Sequence, residues 1–114
     1  MGGAEVQNET ARRQRRRWHF AAAIFDECAW TLTVAGQLVP LERKPLELLR
    51  ALLERAGEVV SKDELLEAAW PGVVVVEASL PTAIRKLRKA LGDEDSARPI
   101  IATGARIGYR LTVP

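Results

Sequence analysis

Ser79-Leu80-Pro81-Thr82-Ala83-Ile84-Arg85-Lys86-Leu87-Arg88-Lys89-Ala90-Leu91 is the stretch on which the reading of this 114-residue chain turns. At about 100° per residue of helix, Ile84, Leu87 and Leu91 fall within about 40° of Leu80 and make one narrow apolar stripe. Thr82, Arg85, Lys86 and Lys89 point the opposite way, with Ala78 leading into them. No acidic residue stands between Ala78 and Gly92. A helix anchored by such a stripe, and presenting only cations and small polar groups, suits a phosphate-lined groove. Double-stranded DNA is therefore the first partner it implies.

Working outward, Ser79 is the expected N-cap of this helix, which puts Pro81 in its first turn, and Gly92 closes it. Before it, Ser61-Lys62-Asp63-Glu64 reads as a capping box opening a helix with Leu65, Leu66, Ala69 and Trp70 on its core side, stopped by Pro71-Gly72. Residues 43–55 form an earlier helix with Leu46, Leu49 and Leu53 at helical spacing, Pro45 in its first turn and Gly57 at its end. Residues 19–25, 30–34 and 37–41 read as three strands of a small antiparallel sheet, with clear alternation in Trp30-Thr31-Leu32-Thr33-Val34. Residues 100–103 and 109–113 read as a hairpin with Arg106 near its tip. Two helices joined by a turn, the second one cationic, follow helix-turn-helix logic, and the hairpin beside them would be a wing. The expected fold class is α+β: a winged helix-turn-helix with an N-terminal three-stranded antiparallel sheet, three helices and a C-terminal β-hairpin wing.

The net charge of +2 says little, but its distribution says more. Residues 1–17 carry five arginines against Glu5 and Glu9. Residues 18–77 carry five basic and ten acidic side chains, and residues 78–114 carry seven basic side chains against Asp93, Glu94 and Asp95. An acidic body between two basic segments fits a polyanionic partner met at two places. Residues 1–17 are expected to be a disordered basic lead or tag, and residues 18–114 a single folded domain. Cys28 is the only cysteine, so no internal disulfide forms and a reducing, cytoplasmic setting is expected. The longest apolar run, residues 20–25, is too short for a secretory signal or a membrane span.

In order and spacing, these residues resemble the OmpR/PhoB-type winged-helix DNA-binding domain of bacterial transcription regulators. The likeness is carried by Trp30-Thr31-Leu32 with Gly36 and Leu41, and by Leu46-Glu47-Leu48-Leu49. It continues in residues 57–66, Ala69-Trp70-Pro71, Leu80 with residues 84–93, Ile101-Ala102-Thr103 and Gly108-Tyr109-Arg110-Leu111. The resemblance implies that the third helix enters the major groove and that the wing touches the backbone or the adjacent minor groove. It also implies two protomers on direct repeats, and a loop, here residues 71–78, that can contact RNA polymerase. The family's wing usually reads Thr-x-Arg-Gly-x-Gly-Tyr-Arg, whereas here Thr103-Gly104-Ala105-Arg106-Ile107-Gly108-Tyr109-Arg110 has its basic residue displaced by one. An effector domain is expected elsewhere in a longer protein, most naturally C-terminal to the module, because Met1 stands just before the module and the chain stops at the wing.

Within this frame Thr82, Ala83 and Lys86 are the expected contacts to base edges. Ala78, Pro81, Thr82 and Ala83 are small and suit a thymine methyl more than bidentate reading of guanine, and Ser79 is an expected DNA contact beside them. Arg85, Lys89, Arg88 and Arg106 are the expected phosphate contacts, although Arg88 lies on the flank and can equally pair with acids of the first helix. Most of residues 73–76 are expected to be partly buried under the third helix. Trp18, Trp30 and Trp70 are expected to pack in the core or on the sheet. His19 is the only histidine, and no metal-ligand spacing, nucleophile set or carboxylate pair assembles. Hence no enzyme and no cofactor are expected. The competing reading is a winged-helix module that docks a protein partner and ignores DNA, and the acidic body is what favours it.

Overall fold

A computed structural model describes residues 17–93, 99–104 and 107–112. Residues 1–16 of the expected 1–17 basic lead, and Arg106 of the expected hairpin, lie outside the described residues. The chain opens with a four-stranded antiparallel meander, β1 (Arg17–Phe20), β2 (Ala23–Asp26), β3 (Thr31–Val34) and β4 (Gln37–Val39), in that spatial order. Three helices follow: α1 (Arg43–Glu54), α2 (Lys62–Ala69) and α3 (Ser79–Leu91). A second sheet collects β5 (Val59–Ser61), β6 (Ile101–Gly104) and β7 (Gly108–Leu111), in the order β5-β7-β6. The fold is the expected winged helix-turn-helix.

The first sheet has one strand more than expected. The stretch 19–25 does not run through; it folds back at Ala21-Ala22, where Ala21 takes φ 49°. Two adjacent methyl side chains offer no alternating face to hold a strand extended, and Ala22 O accepts instead from Ala35 N at 2.8 Å. Arg17, expected in the lead, begins β1 and pairs with Asp26 at 3.3 Å. At the β3–β4 turn both Ala35 and Gly36 have positive φ, as a two-residue type I′ hairpin requires. Trp18, Phe25, Leu32 and Val39 stand in one cross-strand row on the inner face, and Phe25 and Leu32 are fully buried.

The core lies between this sheet, the helices and the second sheet. From α1 it takes Leu46, Leu48, Leu49, Leu52 and Leu53. Trp30 closes the sheet end of the core: Phe25 meets it edge-on at 5.7 Å between centroids, and the Arg43 guanidinium stacks 3.8 Å from its ring centre. Trp18 and Trp70 also pack on the core, as expected. The end of α1 is tied to the last strand by Gly57 N donating to Leu111 O at 3.0 Å.

β5 was not foreseen. It pairs Val60 with Tyr109 and Ser61 with Gly108, so the wing is a three-stranded sheet rather than a free hairpin. The approach is so close at Gly108 that a Cβ there would lie 1.9 Å from Val60 O. The capping box of α2 is present in both directions: Glu64 N donates to Ser61 Oγ (3.1 Å), and Ser61 N donates to Glu64 Oε1 (3.2 Å). The α3 cap differs from expectation. Ser79 is already helical and Ala78 is the N-cap, with no side-chain cap bond. An alanine methyl has no acceptor to cap with, and Ser79 is carried past the cap position because the loop's own turn, Ser79 N to Val76 O at 3.0 Å, runs straight into the helix and leaves Ala78 at φ −73°, ψ −11°. At the other end Gly92 takes φ 71°, with Asp93 N bonded to Arg88 O and Gly92 N to Lys89 O, a Schellman closure.

Candidate nucleic-acid interface

The interface is built on α3. Leu80, Ile84, Leu87 and Leu91 are all buried, so the apolar stripe fixes the helix's rotation. That rotation leaves Ala78, Thr82, Arg85, Lys86 and Lys89 exposed and Ser79 half-buried. Among the described residues Arg85 and Lys89 meet no carboxylate, and their charges face solvent. The first turn of α3 carries no acid either, so the positive end of the helix dipole adds to the same surface.

Three expected contacts look different in three dimensions. Ala83 is 5% exposed and belongs to the core, because it stands on the flank of the stripe beside Leu80 and Leu87. It has no surface to offer a base edge, and its assignment as a base contact is corrected. Arg88 does not pair with acids of α1. Its Nε and Nη2 both donate to Ile101 O (3.2 and 2.9 Å), and Nη2 also donates to Thr103 Oγ1 (3.2 Å). Its guanidinium lies 5.6 Å from the Tyr109 ring centre. Arg88 therefore fastens α3 to β6 of the wing. Lys86 is exposed but engaged: its Nζ donates to Glu42 Oε1 at 2.7 Å.

A second fastening lies one turn on. Asp93 is 4% exposed, and its two carboxylate oxygens accept from Ile100 N (2.8 Å) and Ile101 N (3.1 Å). The helix and the wing are thus joined at the base of β6 by two charged side chains. Between them a groove lined by Pro81, Arg85, Arg88 and Tyr109 runs along the exposed face of α3.

One cation beside this face, Lys62, and one on the side of the wing sheet opposite Tyr109, Arg110, escaped the sequence reading. Lys62 lines a groove with Val75, Leu80, Pro81 and Tyr109. Arg110 projects outward from β7, opposite Val59 and Ala102. The signal for Arg110 was its place next to Tyr109, since alternation on a strand turns neighbours to opposite faces. Lys62 carried no such signal. The loop 71–78 also departs from expectation. Val73, Val74 and Val76 are 61%, 100% and 73% exposed, because the loop turns away at Pro71-Gly72 instead of passing under α3. Among the described residues, no helix is long and apolar enough to cross a membrane.

The family described as "Transcriptional regulatory protein, C terminal" matches residues 36–111. The transcriptional activator CadC of Escherichia coli K12 is 38% identical over 80 residues, covering 69% of this chain and 16% of that protein. The transcriptional regulatory protein AfsQ1 of Streptomyces coelicolor is 31% identical over 96 residues, covering 83% of this chain and 43% of that protein. The chain thus spans less than half the length of these two relatives. Among solved structures, the DNA-binding domain of Klebsiella pneumoniae RstA in complex with the RstA box superposes with a TM-score of 0.73 at 27% identity. That likeness covers 85% of this chain and 97% of the other.

Proposed function

This chain belongs to the family of transcriptional regulatory protein C-terminal, OmpR/PhoB-type DNA-binding domains, and on that premise we propose that it recognises a specific site in double-stranded DNA for a bacterial transcription regulator. In this reading α3 lies in the major groove, and the β6–β7 hairpin meets the backbone or the neighbouring minor groove. The observation that carries it is the exposed face of α3, where Arg85 and Lys89 have no acidic partner among the described residues. They are the phosphate contacts. Thr82 and Lys86, with Ala78 and Ser79 at the start of the helix, are the base-edge contacts. Arg106 would act from the wing tip. Arg88 serves the interface by holding the wing to the helix and has little left to give a phosphate.

The exposed Val73, Val74 and Val76 support a contact of this loop with RNA polymerase. Family resemblance supports a second protomer beside the first on direct repeats, and a DNA partner implies work in the cytoplasm.

The test is a titration of a labelled duplex by the wild type and by the Arg85→Ala/Lys89→Ala double variant across a salt series. Each phosphate contact contributes about 0.9 to the slope of log K against log salt, so the double variant should flatten it by about 1.8. Absence of binding at low salt refutes the DNA reading and favours a protein-docking winged helix, and a double variant indistinguishable from wild type refutes Arg85 and Lys89 as the phosphate contacts.

A further inference from the structure

α1 begins without a side-chain cap. Glu42 is extended at φ −64°, ψ 161°, yet its carboxylate bonds none of that helix's first amides. It crosses instead to α3, where Oε1 takes the hydrogen bond from Lys86 Nζ at 2.7 Å. Of the three outward cations of α3, Lys86 alone meets an acid among the described residues. Glu42 and Lys86 also stand together on the rims of two grooves, one floored by Val39, Pro40 and Leu41 and the other by Pro45 and Trp70. The acid therefore sits at the edge of the very surface that the DNA reading assigns to phosphates and bases.

We propose that Glu42 is a specificity-determining charge brake: its carboxylate stands in for a phosphate on Lys86 and removes that lysine from sequence-blind backbone binding. The inference rests on the DNA reading of α3. When Lys86 leaves Glu42 for a phosphate, one ion pair replaces another. While Lys86 stays on Glu42 it neutralises no phosphate and releases no counterion from the DNA, so it adds almost nothing to the salt slope on non-target duplex. The two side chains are 47% and 70% exposed, so the pair is weak and opens readily. A guanine, with O6 and N7 side by side, offers Lys86 a two-acceptor contact that outweighs the exposed ion pair it gives up. Non-target DNA, offering phosphate alone, gains little from this lysine, and the contrast between target and non-target DNA widens.

The experiment uses the whole chain and a fluorescein-labelled duplex of randomised sequence, titrated from about 50 to about 200 mM KCl, the range over which phosphate contacts dominate the salt response. Wild type, Glu42→Gln, Lys86→Met and the Glu42→Gln/Lys86→Met pair are compared, with thermal midpoints recorded for each. Glu42→Gln is expected to tighten binding about three- to fivefold at the low-salt end, the range of an exposed ion pair. It should also steepen the slope by about 0.9. The pair should show the slope of Lys86→Met alone, because without the lysine the carboxylate has nothing to hold. A Glu42→Gln slope equal to wild type, weaker binding by that variant, or steepening that persists in the pair overturns the brake. Wild type that fails to bind duplex at low salt overturns the DNA reading itself. Wild type whose slope depends on Arg85 and Lys89, beside an inert Glu42→Gln, loses only the brake.

Discussion

Asp93→Ala removes the acceptors of two consecutive backbone amides in one step. The carboxylate is 4% exposed, with Ile100 N at 2.8 Å on one oxygen and Ile101 N at 3.1 Å on the other. A hydrogen bond to a charged group contributes about 1.5–3 kcal/mol, and an orphaned buried donor costs a similar amount. The two bonds share one carboxylate, and the Ile100 side is only partly buried, so a combined loss of about 3 kcal/mol is expected. A domain of this size unfolds with an entropy of about 0.2 kcal/mol per kelvin, so the thermal midpoint should fall by about 10–15 °C. Asp93→Asn keeps one acceptor but turns an NH2 toward the other amide; its midpoint should fall between the two. Circular dichroism melts, with urea midpoints as a second measure, read the effect. An Asp93→Ala midpoint within about 3 °C of wild type would show that the amides find other partners and that the carboxylate does not hold β6 to α3.

Two further outcomes follow from local geometry. The Glu64 carboxyl is held below its ordinary 4.5 by the backbone amide of Ser61 first, then by the Ser61 side chain and Arg55. A depressed carboxyl stabilises fully above its unfolded-state value and loses that contribution as pH falls through the folded one. The stability gap between wild type and Glu64→Gln should therefore stay constant at neutral pH and shrink below about pH 4.5, read as urea midpoints across pH; a gap unchanged down to about pH 3 would contradict this. Gly108→Ala should cost about 3 kcal/mol or more, because its Cβ would strike the Val60 carbonyl at 1.9 Å. Gly104→Ala meets only the tip of Val59 at 2.9 Å and should cost less than half as much, so equal urea midpoints for the two would refute the distinction.

What the sequence disclosed and what it hid divide along physical lines. The leucine stripe of α3 and the Ser61–Glu64 capping box are local patterns, set by helix geometry over a few residues, and both are present as read. β5 is three residues long, too short to show a period, and it exists because Gly108 lets β7 approach. The break at Ala21-Ala22 was hidden inside an unbroken apolar run. Ala83 looked surface-facing only because alanine is small enough to stand on either side of a stripe's edge. The engagements of Lys86 by Glu42 and of Arg88 by β6 are long-range. Nothing within one helix announces a partner that arrives from another element. The outward cations were therefore legible as a set, while their division into free and engaged was not.

The double fastening of β6 to α3, through Arg88 and Asp93, bears on how DNA shape is judged. With the strand tied to the last turns of the helix, the distance from the exposed face of α3 to the base of the wing is fixed before any ligand arrives. A binding surface of set span spends no free energy on arranging itself, but it also cannot adjust to the duplex it meets. The deformation then falls on the DNA. Sequences whose groove width already fits that span, or whose base steps yield cheaply to it, are favoured at positions no side chain touches. Loosening the fastening with Arg88→Ala should therefore blur preferences in the base pairs between the two contact points more than it lowers affinity for phosphate.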